Sequence, residues 1–168
     1  MSMSHVDDGD LQRNNPLDIV EQMARGHAWP FERTNESEIT LLVRGKWTDY
    51  RVSFSWMPGL ETLHIACAFD IKVPERSQAE VNKLIALVNA RLWVGHFDLW
   101  QEDAMVLHRH SLVLSGGIEA SKAQCEVLLA SGLDACERYY QAFQFVVWAG
   151  EGAREAMEAA LFQTAGEA

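Results

Sequence analysis

Apolar residues recur along this chain with two different periods, and the switch between them divides it into elements. A helical repeat opens the pattern. Asn15 suits an N-cap, Pro16 the first helical position and Asp18 the first turn. Ile19, Val20, Met23 and His27 then follow at helical spacing, and Gly26 and Pro30 close the segment. The period next shortens to two. Trp29 to Arg33 reads as a short edge strand, because Pro30 has no N–H to donate. Ile39, Leu41 and Val43 alternate with Glu38, Thr40 and Arg44, and Gly45-Lys46 makes the turn. Tyr50, Val52, Phe54 and Trp56 alternate with Asp49, Arg51, Ser53 and Ser55, the pattern of a half-buried strand. After Pro58-Gly59, Leu63, Ile65, Cys67, Phe69 and Ile71 form another apolar face opposite Thr62, His64, Ala66, Ala68 and Asp70.

A second helix is predicted from Pro74-Glu75. Its stripe is Val81, Leu84, Ile85, Val88 and Leu92, with Gly95 placed to end it. Phe97 and Leu99 then alternate with His96, Asp98 and Trp100. Glu102-Asp103 turns the chain, and Met105 to Leu114 forms a last strand with apolar residues on both faces. Ser121 and Gln124 make a capping box for a long helix. Its stripe runs from Cys125 through Leu128, Leu129, Gly132, Cys136, Tyr139, Tyr140 and Phe143 to Val147. Gly150-Glu151-Gly152 interrupts before a final Ala-rich helix from Ala153. The order is that of an α+β fold: helix, strands, helix, two strands, long helix, with helices packed on an antiparallel sheet. Residues 1–14 are polar and read as a disordered tail, and residues 15–168 as one domain.

Composition narrows the functional classes. The chain has 168 residues, 48% of them hydrophobic, enough for one real core. Its formal charge of −10 repels phosphate backbones and argues against nucleic-acid binding. No run approaches the ~20 apolar residues of a membrane span, and no signal peptide is visible. Cys67, Cys125 and Cys136 make no CxxC pair. On one helix Cys125 and Cys136 stand roughly 16 Å apart, beyond the ~7 Å reach of a disulfide. Buried, reduced thiols are expected, which suits the cytoplasm.

Several stretches resemble a known family. They are Asn15 to Asp18, Trp47 to Trp56 (WTDYRVSFSW), Leu63 to Glu75 (LHIACAFDIKVPE), Leu92 to Trp100 (LWVGHFDLW) and Ala135 to Gly150 (ACERYYQAFQFVVWAG). Together they are similar to the YbjN-domain family of bacterial sensory transduction regulators. The resemblance implies a fold similar to that of type III secretion chaperones, small acidic proteins that often dimerise and hold partner segments. It implies no reaction and supplies no catalytic motif.

The residues themselves offer three kinds of chemistry. His64 and His96 oppose the apolar stripes of their own strands. His108 and His110, two apart, share a face; if it is the same one, four imidazoles and Asp98 gather there as weak candidate metal ligands. The plain alternative is a solvated polar face. Nucleophilic hydrolysis lacks a motif: there is no G-x-S-x-G, and Ser115-Gly116-Gly117 reads as a turn. Glu102-Asp103 reads as exposed acids. The third possibility is a binding surface. By parity Trp47 and Trp100 join Leu42, Ala66 and Ala68 on the second sheet face, a mixture that suits a partner interface unless a helix covers it. The expected protein is therefore a non-enzymatic protein-binding or regulatory module, without cofactor, homodimeric, with a peptide or protein partner. Its candidate surface is Trp47, His64, His96, Asp98 and Trp100. A metal-dependent enzyme or sensor and a structural subunit of an assembly are the alternatives.

Overall fold

The computed structural model describes residues 14–166; of the expected tail, residues 1–13 lie outside them. The first helix, α1 (Pro16–Gly26), starts as its sequence dictates: the Asn15 side chain accepts a hydrogen bond from Leu17 N–H, and Pro16 follows the cap. Four strands come next, β1 (Phe31–Asn35), β2 (Glu38–Arg44), β3 (Asp49–Met57) and β4 (Thr62–Lys72). A one-turn 3-10 helix at Pro58–Leu60 joins the last two. Then follow α2 (Glu75–Asn89), β5 (His96–Trp100), β6 (Met105–Val113), α3 (Lys122–Ala149) and α4 (Ala153–Gly166).

The strands form one sheet in the order β1-β2-β3-β4-β6-β5. Every neighbouring pair is antiparallel. The chain leaves β4 through α2, lands on the far edge as β5 and returns as β6 between them. Helix α1 packs against β2 and β3, α3 against β4 and β6, and α2 beside β5, while α4 rests on α2 and α3. All of this mass presses on one sheet face. Ile39, Leu41, Tyr50, Val52, Phe54, Leu63, Ile65 and Phe69 are buried there. At its centre the ring of Phe69 meets Tyr140 and Phe143 of α3 edge-on, with centroids 5.4 and 5.3 Å away. This geometry is favoured by aromatic quadrupoles.

Strand β1 and helix α2 are bounded differently from the sequence reading. Strand β1 begins at Phe31 because Trp29 is held by stacking on His27, with centroids 4.2 Å apart. Helix α2 stops at Asn89, short of Leu92 and Gly95. The Asn89 side chain accepts from Phe97 N–H at 2.7 Å and donates to Phe97 C=O at 3.0 Å, so tertiary contact pins the last turn to β5. Gly95 instead shapes the approach to β5. Its φ is +69°, and a Cβ there would lie 2.5 Å from His108 Cε1 and 2.8 Å from Arg109 O, so only glycine fits.

Candidate functional site

Antiparallel partners that stand opposite each other share a sheet face. The register therefore defines the side away from the helices as rows of side chains. One row runs Glu32, Thr40, Ser53, Ala66, Arg109, His96 from edge to edge. Beside it run Leu42, Arg51, Ala68, Leu107 and Asp98 on one side, and Glu38, Ser55, His64 and Ser111 on the other. Met57, Thr62 and Val113 close one end, and Lys72, Met105 and Trp100 mark the other. Apart from Leu107 these side chains are half-buried or exposed, so no described helix covers them. The centre is flat and small, built from Thr40, Ser53, Ser55, Ala66 and Ala68. Larger apolar groups sit at its margins: Leu42 is 44%, Met57 48% and Trp100 45% exposed.

A polar cluster occupies the β4–β6–β5 side. Arg109 Nε donates to His64 Nε2 at 3.1 Å, and a guanidinium nitrogen lies 3.7 Å from Asp98 Oδ2. As an acceptor, His64 carries its proton on the other ring nitrogen and is neutral. Burial lowers its pKa first, and the nearby Arg109 cation and the imidazoles of His96 and His110 add to that. The sequence reading missed Arg109. It alternates with His108 and His110, so assigning those two to the outer face removed the arginine from it.

The structure overturns the gathering of four imidazoles. His108 stands opposite Cys67 and Phe97, and His110 opposite Ile65, all on the helix-covered face. His64 and His96 alone are on the open one. The even positions of β6 face inward because Val106 and His108 fill the core beside Leu99 and Phe97. His108 is 1% exposed. Its Nε2 lies 3.3 Å from Val94 O, so that nitrogen holds the proton and donates. Its Nδ1 is buried with no hydrogen-bond partner among the described residues. His110 lines an apolar groove between β6 and α3 with Val94, Leu112, Val127 and Leu128. No group of three or more His, Cys, Asp or Glu side chains among the described residues is arranged to hold a metal ion.

Trp47 also departs from its expected place. It lies in the turn before β3, where strand parity does not apply. Its indole N–H donates to Glu137 C=O of α3 at 3.2 Å, and the Lys46 ammonium lies 4.7 Å from the ring centroid. It therefore belongs to the helix side. Of the residues expected to form a binding surface, His64, His96, Asp98 and Trp100 share one face and Trp47 does not. Cys67, Cys125 and Cys136 are buried free thiols. Burial, with Glu126 adding to it, pushes the Cys125 thiol up to about 11. Among the described residues no helix is long and apolar enough to cross a membrane.

A single antiparallel sheet, with helices on one face and no described helix on the other, places this chain among α+β proteins of the type III secretion chaperone-like fold. A chain of the HopA1–SchA chaperone–effector complex superposes with a TM-score of 0.54 at 12% identity, over 77% of this chain and 94% of that one. The crystal structure of YbjN from E. coli superposes with a TM-score of 0.53 at 10% identity, over 88% and 93%. A chain of the ExsC–ExsE complex gives 0.48 at 17% identity, over 72% and 90%. Comparison with curated protein sequences gives no match. The chain belongs to the YbjN family, described as "putative bacterial sensory transduction regulator", whose profile matches residues 16–145.

Proposed function

We propose that this protein is a non-enzymatic protein-binding module and that the bare sheet face is its binding surface. The observation that carries this reading is a six-stranded sheet whose outer side no described helix covers, set with His64, His96 and Asp98 around Arg109 and with Trp100 at its margin. Flat centres with aromatic and aliphatic margins are what interfaces use: small residues permit close approach, and side chains such as Trp100 supply binding energy. The fold is compatible with the role, since the HopA1–SchA structure is a chaperone bound to its effector. The family's description as a regulator points the same way. Catalysis gains no support: the thiols are buried, and the imidazoles are split between two faces. Buried reduced cysteines suit a cytoplasmic setting.

The test places a photo-crosslinking phenylalanine analogue at position 100 and, as control, at Trp148, exposed on α3. Irradiation in cells is expected to join position 100 to a polypeptide and position 148 to none. An Ala66→Arg change at the centre of the face should remove the product. Equal yields at the two positions, or a product that survives Ala66→Arg, would refute the reading.

A further inference from the structure

Helix α3 carries more apolar surface near its start than the core uses. Cys125, Leu128, Leu129 and Gly132 make its buried stripe there. Beside them lie Ala123 and Val127, spaced i and i+4 on one side of the helix, and Val127 is 62% exposed. Outward positions of an amphipathic helix are ordinarily polar. These two instead line the groove between β6 and α3, together with Val94, His110 and Leu112. The groove holds about 390 Å³, within the ~300–1,000 Å³ of small-molecule sites.

Shape and chemistry restrict the occupant. The α3 wall runs from Ala123 to Ser131, ~12 Å along the helix axis. Over that length the volume leaves a channel roughly 6 Å across, enough for one hydrocarbon chain and too narrow for the ~10 Å width of a helix. The lining holds no Asp, Glu, Lys or Arg. Burial first, and His96 after it, lower the pKa of His110, so its imidazole is neutral at neutral pH. Lys122 and Glu126, next in sequence to the lining residues of α3, are paired with each other at 3.7 Å. An ion entering the groove would lose its water and gain no counter-charge, and the chain's formal charge of −10 further opposes an anion. Polar groups in the walls are few. Gln124 Oε1 is committed to the cap of α3, which leaves the His110 imidazole and the Ser131 hydroxyl to orient a polar end.

We infer that the β6–α3 groove is a binding site for an uncharged aliphatic molecule, a single chain of about ten carbons whose hydroxyl or carbonyl end hydrogen-bonds His110. The site lies on the helix side and does not rest on the reading of the open sheet face as a partner surface. Calorimetric titration of the full chain with primary alkanols from hexanol to dodecanol is expected to show one site per chain. Affinity should rise about two- to four-fold per added methylene and level off near ten carbons. Saturation with decanol should shift the His110 imidazole resonances. Val127→Glu sets a carboxylate against the chain and should weaken decanol by about tenfold or more. Val127 is exposed, so that change leaves the core intact. Val113→Glu, on the open sheet face and 63% exposed in the native chain, should leave decanol binding unchanged. Decanoate should bind about tenfold more weakly than decanol. Absence of saturable binding, affinity still climbing at dodecanol, decanoate binding as tightly as decanol, or equal effects of the two glutamate variants would each overturn the proposal. So would a photo-crosslinking residue at position 127 that joins a polypeptide in cells, a second copy included, in greater yield than one at Trp148, because the groove would then belong to a protein.

Discussion

His108 occupies the position of an apolar core residue. Its ring packs edge-on to Phe97, with centroids 5.2 Å apart. Helix α3 leaves room with Gly132, whose missing Cβ would stand 3.5 Å from Nδ1. Protonating Nδ1 would bury an N–H with no acceptor. Burial accordingly lowers the pKa to about 4 from its ordinary 6.5, with His110 and His96 adding to the effect and the bond to Val94 O opposing it. The unfolded chain takes up a proton below pH 6.5, and the folded one resists until about 4. The stabilising contribution is thus whole above pH 6.5 and is lost as pH falls through that window, on the order of 3 kcal/mol in all. Urea midpoints should fall between pH 7 and 5. In His108→Phe the fall should be shallower, with His64 and His110, also depressed by burial, accounting for the residual slope. An unchanged slope would disprove the assignment. Parity within β6 could not place this histidine, because apolar residues alternate on neither face; only the Cys67 and Phe97 pairings decide it.

At the scale of elements, local signals set starts more firmly than ends. Helix α3 begins where its capping box dictates. Ser121 Oγ accepts from Gln124 N–H at 3.0 Å, and Gln124 Oε1 accepts from Ser121 N–H at 2.9 Å. Both bonds satisfy donors that the first turn would otherwise leave bare. Ser121→Ala should lower stability by about 1 kcal/mol, read as a shift in denaturation midpoint with an unchanged slope; an unaltered midpoint would show that the cap contributes nothing. Helix α2 is the contrary case. Its apolar stripe continues through Leu92, yet the helix ends at Asn89 because that side chain's two bonds to Phe97 outweigh three further residues of helix. Helix α4 likewise takes support from a distance: Glu80 of α2 accepts from Ala153 N–H at 3.0 Å. That partner lies 73 residues away and has no local signature.

Over the whole molecule, one buried cluster joins all four described helices to the sheet. The three cysteines are inside it, each at most 1% exposed. Burial raises the Cys136 thiol, and its contact with Cys67 raises it further. Buried thiols react only when the fold opens. A colourless aromatic disulfide reagent should therefore find no reactive thiol in the native protein and three after denaturation, at a rate that tracks unfolding. Fast labelling of any of them in the native state would contradict the packing. The thiols' positions were readable from sequence, since all three fall on apolar stripes.

The sequence by itself determined the elements, their order and the inner face of most strands. Those depend on periodicity, caps and turns, which act over a few residues. It also determined that His64, His96, Asp98 and Trp100 point away from the core stripes of β4 and β5. Only the tertiary structure decided which strands pair, that His108 and His110 turn inward while Arg109 joins His64, and that Trp47 leaves the sheet for Glu137. It alone decided that no described helix covers the second face. Each of these depends on contacts between residues far apart in the chain, whose register no local period encodes.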